Sequence, residues 1–550
     1  MSNIKLKQIS SLEKVFLTDC SEDKQEFNYI TALKGERISY QIMYTSLTDR
    51  KIDVAVNVSS PIKEMVSLRL VGNVPSELPA YPETSDDDYI TKEPGLFPDA
   101  LYPLIDNKIE IIPHSYHSIW ITADISADIE AGKYPIEISI VNTALDINES
   151  KTFYIEVIDV ALPEQQLIYT QWFHTDCIAS YHGFDVFSEE HWNMIEKFIK
   201  LAAHTGISMI LTPIFTPPLD TAVGGERPTV QLIDISLKNK KYSFNFDKLT
   251  RWIEICQKHK IKYFEMAHLF TQWGAEFTPK IVVDNEKIFG WHVRADSQEY
   301  KEFLDQFLPA LTEFLKAADI HECTYFHISD EPHGEKHLEQ YTKAKELVSK
   351  HLKGFKIFDA LSDFEFYKSG AVENPIPAND SIEPFLEAKI ENLWTYYCCS
   401  QGDNNVSNRF MAMPSYRNRI IAIQLYKYNI KGFLQWGYNF YYSQYSKQKI
   451  NPFLTTDSVN AFPSGDSFSV YPHKNGPLES IRSVIFYEAL QDLRALKLLE
   501  NIIGYEETLK LLEKDISMIT FRKYPRDSQW LINKREEINR AIGMKNNISI

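Results

Sequence analysis

The sequence predicts a multidomain protein: an N-terminal antiparallel β-sandwich over residues 1–163, a (β/α)8 TIM-type barrel over 164–503, and a helical C-terminal extension over 504–550. Three observations predict it. At 550 residues the chain exceeds what one hydrophobic core organises. Its texture changes at Leu162-Pro163 from short alternating strands to strands separated by amphipathic helices. That second texture then repeats eight times, which is the signature of a closed ring of parallel strands.

In the first part, Arg37–Tyr44, Ile52–Val58, Val66–Val71, Ser118–Ala123, Tyr134–Ile140 and Thr152–Val157 alternate apolar and polar residues with a period of two. No helix interrupts them, so an antiparallel sandwich follows. The acidic stretch from Pro79 to Pro98 reads as a long surface loop. In the second part, apolar strands are predicted near 167–173, 207–215, 261–268, 323–329, 355–361, 391–397, 431–437 and 466–471. Ser188 is placed to cap a helix that carries Trp192, Ile195, Phe198, Ile199 and Ala202 on one face, with Gly206 to close it. Asp247 opens another, and Ser297 a third that Pro309 should kink. An open sheet uses the same alternation.

Composition excludes several functions. The formal net charge is -17 and no long basic run exists, so a nucleic-acid backbone would be repelled. No stretch of about 18 uncharged apolar residues occurs, so no membrane span is expected. Residues Met1 to Lys7 are not followed by the apolar core of a secretory signal, which makes the cytoplasm the expected location, or an extracytoplasmic one if a leader has been removed. The six cysteines lack framework spacing; adjacent Cys398 and Cys399 read as ordinary loop thiols. A homo-oligomer is compatible with the sequence. Neither a cofactor nor a metal is expected: His333 and His337 share a helix face, but Glu335 is misplaced for a zinc-protease motif.

The chemistry is expected where Cys323–Ile328 delivers Ser329, Asp330, Glu331 and Pro332. Two like charges on neighbouring residues repel, and burial raises at least one pKa. Pro332 ends the strand and holds Glu331 in an extended or turn conformation. In a barrel, the C-terminal strand ends carry the active site. There the sequence also offers Trp172, His174 and Asp176 after strand one, Trp273 after strand three, Trp394, Tyr396 and Tyr397 on strand six, and Trp436, Tyr438 and Asn439 on strand seven. Aromatic faces around carboxylates suit a carbohydrate, whose ring has apolar C–H faces and a hydroxyl rim.

Glycoside hydrolysis is the leading chemistry. A protein nucleophile would sit about 5–5.5 Å across the sugar from the acid, yet Gly432–Tyr442 contains no carboxylate. Adjacent acids suit the route in which the substrate's own 2-acetamido carbonyl attacks the anomeric carbon. Glu331 would then protonate the leaving oxygen and later deprotonate water, while Asp330 accepts the acetamido N–H and offsets the oxazolinium charge.

The chain resembles glycoside hydrolase family 123 and the wider group labelled domain of unknown function 4091. The matching pieces are Ile328-Ser329-Asp330-Glu331-Pro332, Gly432–Asn439, Gly465–Pro472 followed by Ser480-Ile481-Arg482, the Ala131–Tyr134 turn and the Leu162-Pro163 boundary. They cover nearly the whole chain in the expected order. The resemblance implies β-N-acetylgalactosaminidase activity with net retention, no metal, and the Asp-Glu pair as stabiliser and acid/base, placed on Asp330 and Glu331. No motif fixes which tyrosine holds the acetamido carbonyl; Tyr396 and Tyr397 are the candidates.

Rival readings stay open. Asp-Glu before Pro is in many proteins a solvated turn, Trp394 and Trp436 could simply fill a barrel, and Asp466 with Arg482 could be a structural ion pair. A hydrolase of a different glycan would use Glu331 with a distant nucleophile such as Asp457. A non-catalytic glycan-binding protein would keep only the aromatic cleft.

Overall fold

The structure is a computed structural model and describes residues 4–546. Its N-terminal domain consists of two five-stranded sheets. One orders Ile4–Ser10, Arg37–Ser46, His117–Asp124, Val66–Ser76 and Gly95–Pro103, all antiparallel. The other orders Tyr29–Lys34, Ile147–Ala161, Gly132–Asn142, Ile52–Ser59 and Lys108–Ile111, antiparallel except that Tyr29–Lys34 runs parallel to Ile147–Ala161. Ile136, Ile138 and Ile140 are buried while Glu137 faces out, because successive side chains leave opposite faces of a strand.

Arg37–Ser46 is buried along its whole length. Ile38, Tyr40, Ile42 and Tyr44 fill the sandwich core. Its other face is covered too: Gln41 donates to the carbonyls of Ser10 and Glu13, and Met43 packs on Ile9 and Val15. Val71, Phe97, Leu101 and Trp120 belong to the same apolar core as the second domain. At about 1.5–3 kcal/mol for each large apolar side chain taken out of water, this shared core binds the two domains firmly together.

The second domain is built on a curled parallel sheet of seven strands, ordered Lys356–Ile357, Thr324–Phe326, Tyr263–Met266, Met209–Thr212, Ile168–Gln171, Gly432–Gln435 and Trp394–Tyr396. In chain order these fall within the first seven predicted strands. Beyond the fifth strand, Asp359–Ala360 pairs in parallel with Pro375–Ile376, and Ala378 bridges Tyr396 of the sixth. Residues 466–471, the expected eighth strand, lie outside this sheet. Only Val470–Tyr471 is a strand, antiparallel to Leu478–Glu479. The backbone before it gives its carbonyls to side chains: Asp466 O accepts from Arg409 at 3.0 Å and from Gln435 at 3.1 Å, and Phe468 O from Arg482 at 2.8 Å. Carbonyls satisfied in this way do not seek a ladder.

The helices begin where their caps predict. Ser188 Oγ accepts from His191 N ahead of Glu189–His204, and Ser297 Oγ from Tyr300 N ahead of Gln298–Ala317, with Pro309 inside. Trp192, Ile195, Phe198, Ile199 and Ala202 are buried as one stripe. Among the described residues no helix is long and apolar enough to cross a membrane, and all six cysteines are free.

Two further expectations are corrected. The Pro79–Pro98 stretch does not float: Asp86 and Asp88 are buried, and the Arg417 guanidinium, itself fully buried, donates to both Asp86 oxygens at 2.9 and 3.2 Å. A buried guanidinium needs such a partner. Arg482 pairs with Asp99 of the N-terminal domain rather than with Asp466, at 2.8 and 3.0 Å, and Tyr471 Oη donates to the same carboxylate at 2.6 Å. Past Tyr505–Glu513, the last helix, Ser528–Asn546, returns to the N-terminal domain, where Asn539 Nδ2 donates to Thr31 O at 3.2 Å.

Removing one member of a buried ion pair leaves the other charge unpaired, at a cost of about 3–5 kcal/mol. Arg482→Met is therefore expected to lower the urea midpoint steeply, and Asp99→Asn in the same chain to restore part of the loss. An unchanged midpoint in the single variant would show that this interdomain pair contributes nothing.

Candidate active site

Asp330 and Glu331 follow the fourth strand and are held to the neighbouring strand ends through their backbones. Trp273 N, beyond the third strand, donates to Asp330 O at 2.8 Å. Glu331 N donates to Ala360 O, beyond the fifth, at 3.0 Å, and Ser329 Oγ donates to Thr271 O at 2.9 Å. Both acids line a cavity of about 200 Å³ together with Trp172, Asp220, Gln272, Trp273, Tyr396, Cys398, Cys399, Trp436, Tyr445 and Phe462. Glu331 takes a left-handed φ of 42°, a turn rather than an extended conformation. Asp220, Trp273, Tyr445 and Ser446 are left-handed as well, with φ of 39°, 58°, 59° and 54°. Such backbone strain in non-glycine residues gathers where surrounding structure over-determines a site.

Both acids resist ionisation. Burial raises Asp330 well above the usual carboxylate range and the neighbouring Glu331 charge adds to it, with His327 opposing. Burial also raises Glu331, against a hydrogen bond of 2.6 Å from Tyr396 Oη to its Oε1, which favours the anion. Asp220 is pushed up to about 6 by burial, with Tyr445 N–H opposing.

Below the cavity, His327 lies between two carboxylates, 2.5 Å from Glu265 Oε1 and 3.0 Å from Asp359 Oδ1, with no exposed surface on any of the three. Burial pulls its pKa down, but the hydrogen bonds to Asp359 and Glu265 prevail and push it up to about 9. Trp172 Nε1 donates to the same Glu265 oxygen at 2.7 Å, which fixes the indole against this network. His268 stacks on His327 with ring centroids 4.1 Å apart. His268, His327 and Asp359 are near enough to one another for a metal ion. Both His327 nitrogens are already hydrogen-bonded, however, so that histidine has no lone pair to offer.

Of the predicted site residues, Trp172, Trp273, Asp330, Glu331, Tyr396 and Trp436 come together on the cavity. Trp273 is the most open of them, 38% exposed, and stands edge-on to Tyr445. Trp436 Nε1 donates to Asp466 Oδ2 at 2.8 Å, and burial pushes that carboxyl up to about 7. The remaining predicted residues do not line the cavity. Trp394 fills the inside of the curled sheet among Met209, Tyr325 and Phe358. Gly432 makes room for it, since a Cβ there would lie 2.0 Å from the indole. Tyr397, just past the end of that strand, packs on Phe433 instead. His174 is buried, its Nε2 3.0 Å from Trp436 O and its Nδ1 3.1 Å from Arg227, and burial with that cation depresses it to about 3. Asn439 closes on the His174 backbone, accepting its N–H at 2.8 Å and donating to its carbonyl at 3.1 Å. Asp176 is neutralised by Arg227 at 2.6 Å. Asp457 is occupied by backbone N–H groups of Leu78 and Asn460, both at 3.1 Å, and is not among the cavity residues.

Sequence reasoning missed Asp220, Gln272, Tyr445 and Phe462. All four sit on long connections after strands, where no periodicity marks a direction. Only the rule that such loops build the site could have drawn attention to them.

Comparison with known proteins adds three findings. A family model described as glycoside hydrolase 123, catalytic domain, matches residues 172–499. No curated protein matches the chain. Among solved structures, a family 123 glycoside hydrolase from Clostridium perfringens, whose structural analysis concerned glycolipid glycan hydrolysis, shares 16% identity over 99% of this chain and 98% of its own, with a TM-score of 0.73. A Parabacteroides merdae β-glucuronidase covers 79% of this chain and 46% of its own at 10% identity, with a TM-score of only 0.27.

Because Asp330 and Glu331 hold protons more tightly folded than unfolded, the native state binds more protons there. Their contribution to stability is fullest in acid and is lost as pH rises through the raised values. Asp330→Asn is therefore expected to melt a few degrees above the unaltered protein at pH 8, with the advantage shrinking toward pH 4. Differential scanning calorimetry across that range checks it; a variant less stable at pH 8 would contradict the cost of burying the Asp330 charge beside Glu331.

Proposed function

As the chain belongs to glycoside hydrolase family 123 and is a glycosidase, we propose that it releases N-acetyl-β-galactosamine from glycans or glycoconjugates with retention, through an oxazolinium intermediate. The observation that carries this reading is the adjacency of Asp330 and Glu331 on one wall of an aromatic cavity, with no carboxylate on Gly432–Tyr442 to act as a nucleophile.

Protonated Glu331 gives its proton to the glycosidic oxygen as the bond to C1 breaks. The acetamido carbonyl oxygen closes on C1, and Asp330, accepting the acetamido N–H, compensates the positive charge that develops on the new ring. Glu331, now an anion steadied by the Tyr396 hydroxyl, takes a proton from water, whose oxygen opens the ring at C1. Two inversions give retention. Trp172, Trp273 and Trp436 supply apolar faces for the sugar. In this reading the second domain works as a TIM-type barrel, with Asp359–Ala378 completing the ring between the fifth and sixth strands. The Clostridium perfringens relative makes glycolipid oligosaccharides the first natural substrates to try.

A second reading follows from Asp220, a further carboxylate on the same cavity: Glu331 as acid and Asp220 as a protein nucleophile. An inhibitor separates the two. A 2-acetamido thiazoline, which mimics the oxazolinium ring, binds tightly only if the substrate's own amide performs the displacement.

With an aryl N-acetyl-β-galactosaminide, Glu331→Gln is expected to lower turnover by about 10²–10⁴-fold, as for loss of a general acid and base, and Asp330→Asn nearly as much, with the thiazoline inhibiting the unaltered enzyme. Unchanged rates in both variants, or no inhibition, would remove the substrate-assisted mechanism.

A further inference from the structure

Asp220 is a carboxylate on the cavity wall that the two-acid mechanism leaves without work. It stands on the connection after the second strand and is clasped by the connection after the seventh. Tyr445 N donates to Asp220 Oδ2 at 3.0 Å, Ser446 Oγ donates to Asp220 O at 2.7 Å, and Ala222 N donates to Tyr445 O at 3.0 Å. Asp220, Tyr445 and Ser446 all hold left-handed backbones to make this clasp. Side chains of that kind are fixed before any ligand arrives, which is what orienting a ligand requires.

The carboxylate is under-used as it stands. An ionised carboxylate accepts about four hydrogen bonds, and among the described residues the only donor to Asp220's side chain is the Tyr445 N–H. Among the described residues no ion pair reaches it: Arg227, whose charge acts on it, is committed to both oxygens of Asp176 at 2.8 and 2.6 Å. Glu331 and Asp330 share the cavity with it, so a ligand that brought further negative charge would be repelled. A neutral hydroxyl donates a proton to a free lone pair and adds no charge. A sugar ring carries a rim of such groups.

We propose that Asp220 is a specificity-determining residue that accepts a hydrogen bond from one hydroxyl of the bound sugar, at C3, C4 or C6, the positions that carry neither the acetamido group nor the scissile bond. This rests on the proposed reading of the cavity as the sugar site. The carboxyl raised to about 6 by burial accords with it, since a hydroxyl donor replaces the water that an anion in the cavity lacks.

The experiment compares kcat and KM of the unaltered enzyme, Asp220→Asn and Asp220→Ala on an aryl N-acetyl-β-galactosaminide and on its 3-, 4- and 6-deoxy analogues. The expected result is a fall of kcat/KM of about 10²-fold or more for both variants on the full substrate. On one deoxy analogue, and on that one only, the fall shrinks to less than about threefold, because the partner is already gone. Asparagine keeps a carbonyl for Tyr445 N–H, so a variant that melts like the unaltered protein decides the matter even if Asp220→Ala fails to fold. Equal losses on all three analogues, or an Asp220→Asn enzyme as active as the unaltered one, would reduce Asp220 to a loop clasp and overturn the proposal. Restoration of Asp220→Ala turnover by azide, with a glycosyl azide as product, would make it the nucleophile and overturn it too. Thiazoline inhibition of the unaltered enzyme, measured in parallel, keeps the tests apart: if it is lost the reading of the cavity fails, and if it holds only the role of Asp220 is in question.

Discussion

The imidazolium of His327 is the interaction on which the site depends. It joins Glu265 on the third strand to Asp359 beyond the fifth, and it stands three residues before Asp330 in a region with no exposed surface. Asp359 in turn accepts from Ile328 N at 3.1 Å and from Tyr341 Oη at 2.5 Å, so the tip of the fourth strand is tied to this charge as well. Losing His327 leaves two buried carboxylates without their shared cation. Of the charges that act on Asp330, those of Glu331, Asp359 and Asp220 oppose its ionisation, and His327 favours it. One buried cation therefore both aligns three strand ends and makes an anion possible at the cavity floor.

The walls above that floor are not self-supporting. Residues 398–403 and 457–464, which contribute Cys398, Cys399 and Phe462 to the cavity, are propped from the N-terminal domain. Tyr89 Oη donates to Gly402 O at 2.6 Å and Thr84 Oγ1 to the same carbonyl at 3.2 Å. Leu78 receives Ser464 N at 2.9 Å and gives its own N–H to Asp457 at 3.1 Å. The props come from the stretch that reads as a surface loop, Pro79 to Pro98, and from Leu78 just before it. Fixing long loops against a neighbouring domain lets strained conformations persist without secondary structure of their own.

What the sequence discloses and what it hides follow one division. Features set by local periodicity or a single residue type are legible: the sandwich strands, the Ser188 and Ser297 caps, seven parallel strands, and the Asp330–Glu331 step before Pro332. Which of the adjacent Tyr396 and Tyr397 faces the cavity is not legible, because period two fixes the alternation without its phase. Features set by contacts between distant segments are hidden. Trp394 and His174 look like site residues in composition; the first fills the curled sheet and the second serves Trp436 O and Arg227. Residues 466–471 have strand composition but surrender their carbonyls to Arg409, Gln435 and Arg482. Gly437 makes that approach possible, since a Cβ there would lie 2.5 Å from the Ser467 backbone. Asp220 and Tyr445 meet across more than two hundred residues, and neither carries a motif.

The electrostatics of the cavity agree with the proposed chemistry more closely than any single residue does. Asp220, Asp330 and Glu331 line it, Asp466 lies behind Trp436, and burial raises all four carboxyls. No lysine or arginine is among the lining residues. Such a site is poor at holding a bound anion and poor at holding several of its own charges at once. It is well suited to a neutral ligand that becomes cationic as it reacts, since positive charge then appears where preformed acceptors already point. A glycoside passing through an oxazolinium ion is a substrate of that kind. In the proposed reaction the preformed acceptors would meet positive charge only as it develops, so their interaction would be stronger in the transition state than in the ground state, as acceleration requires.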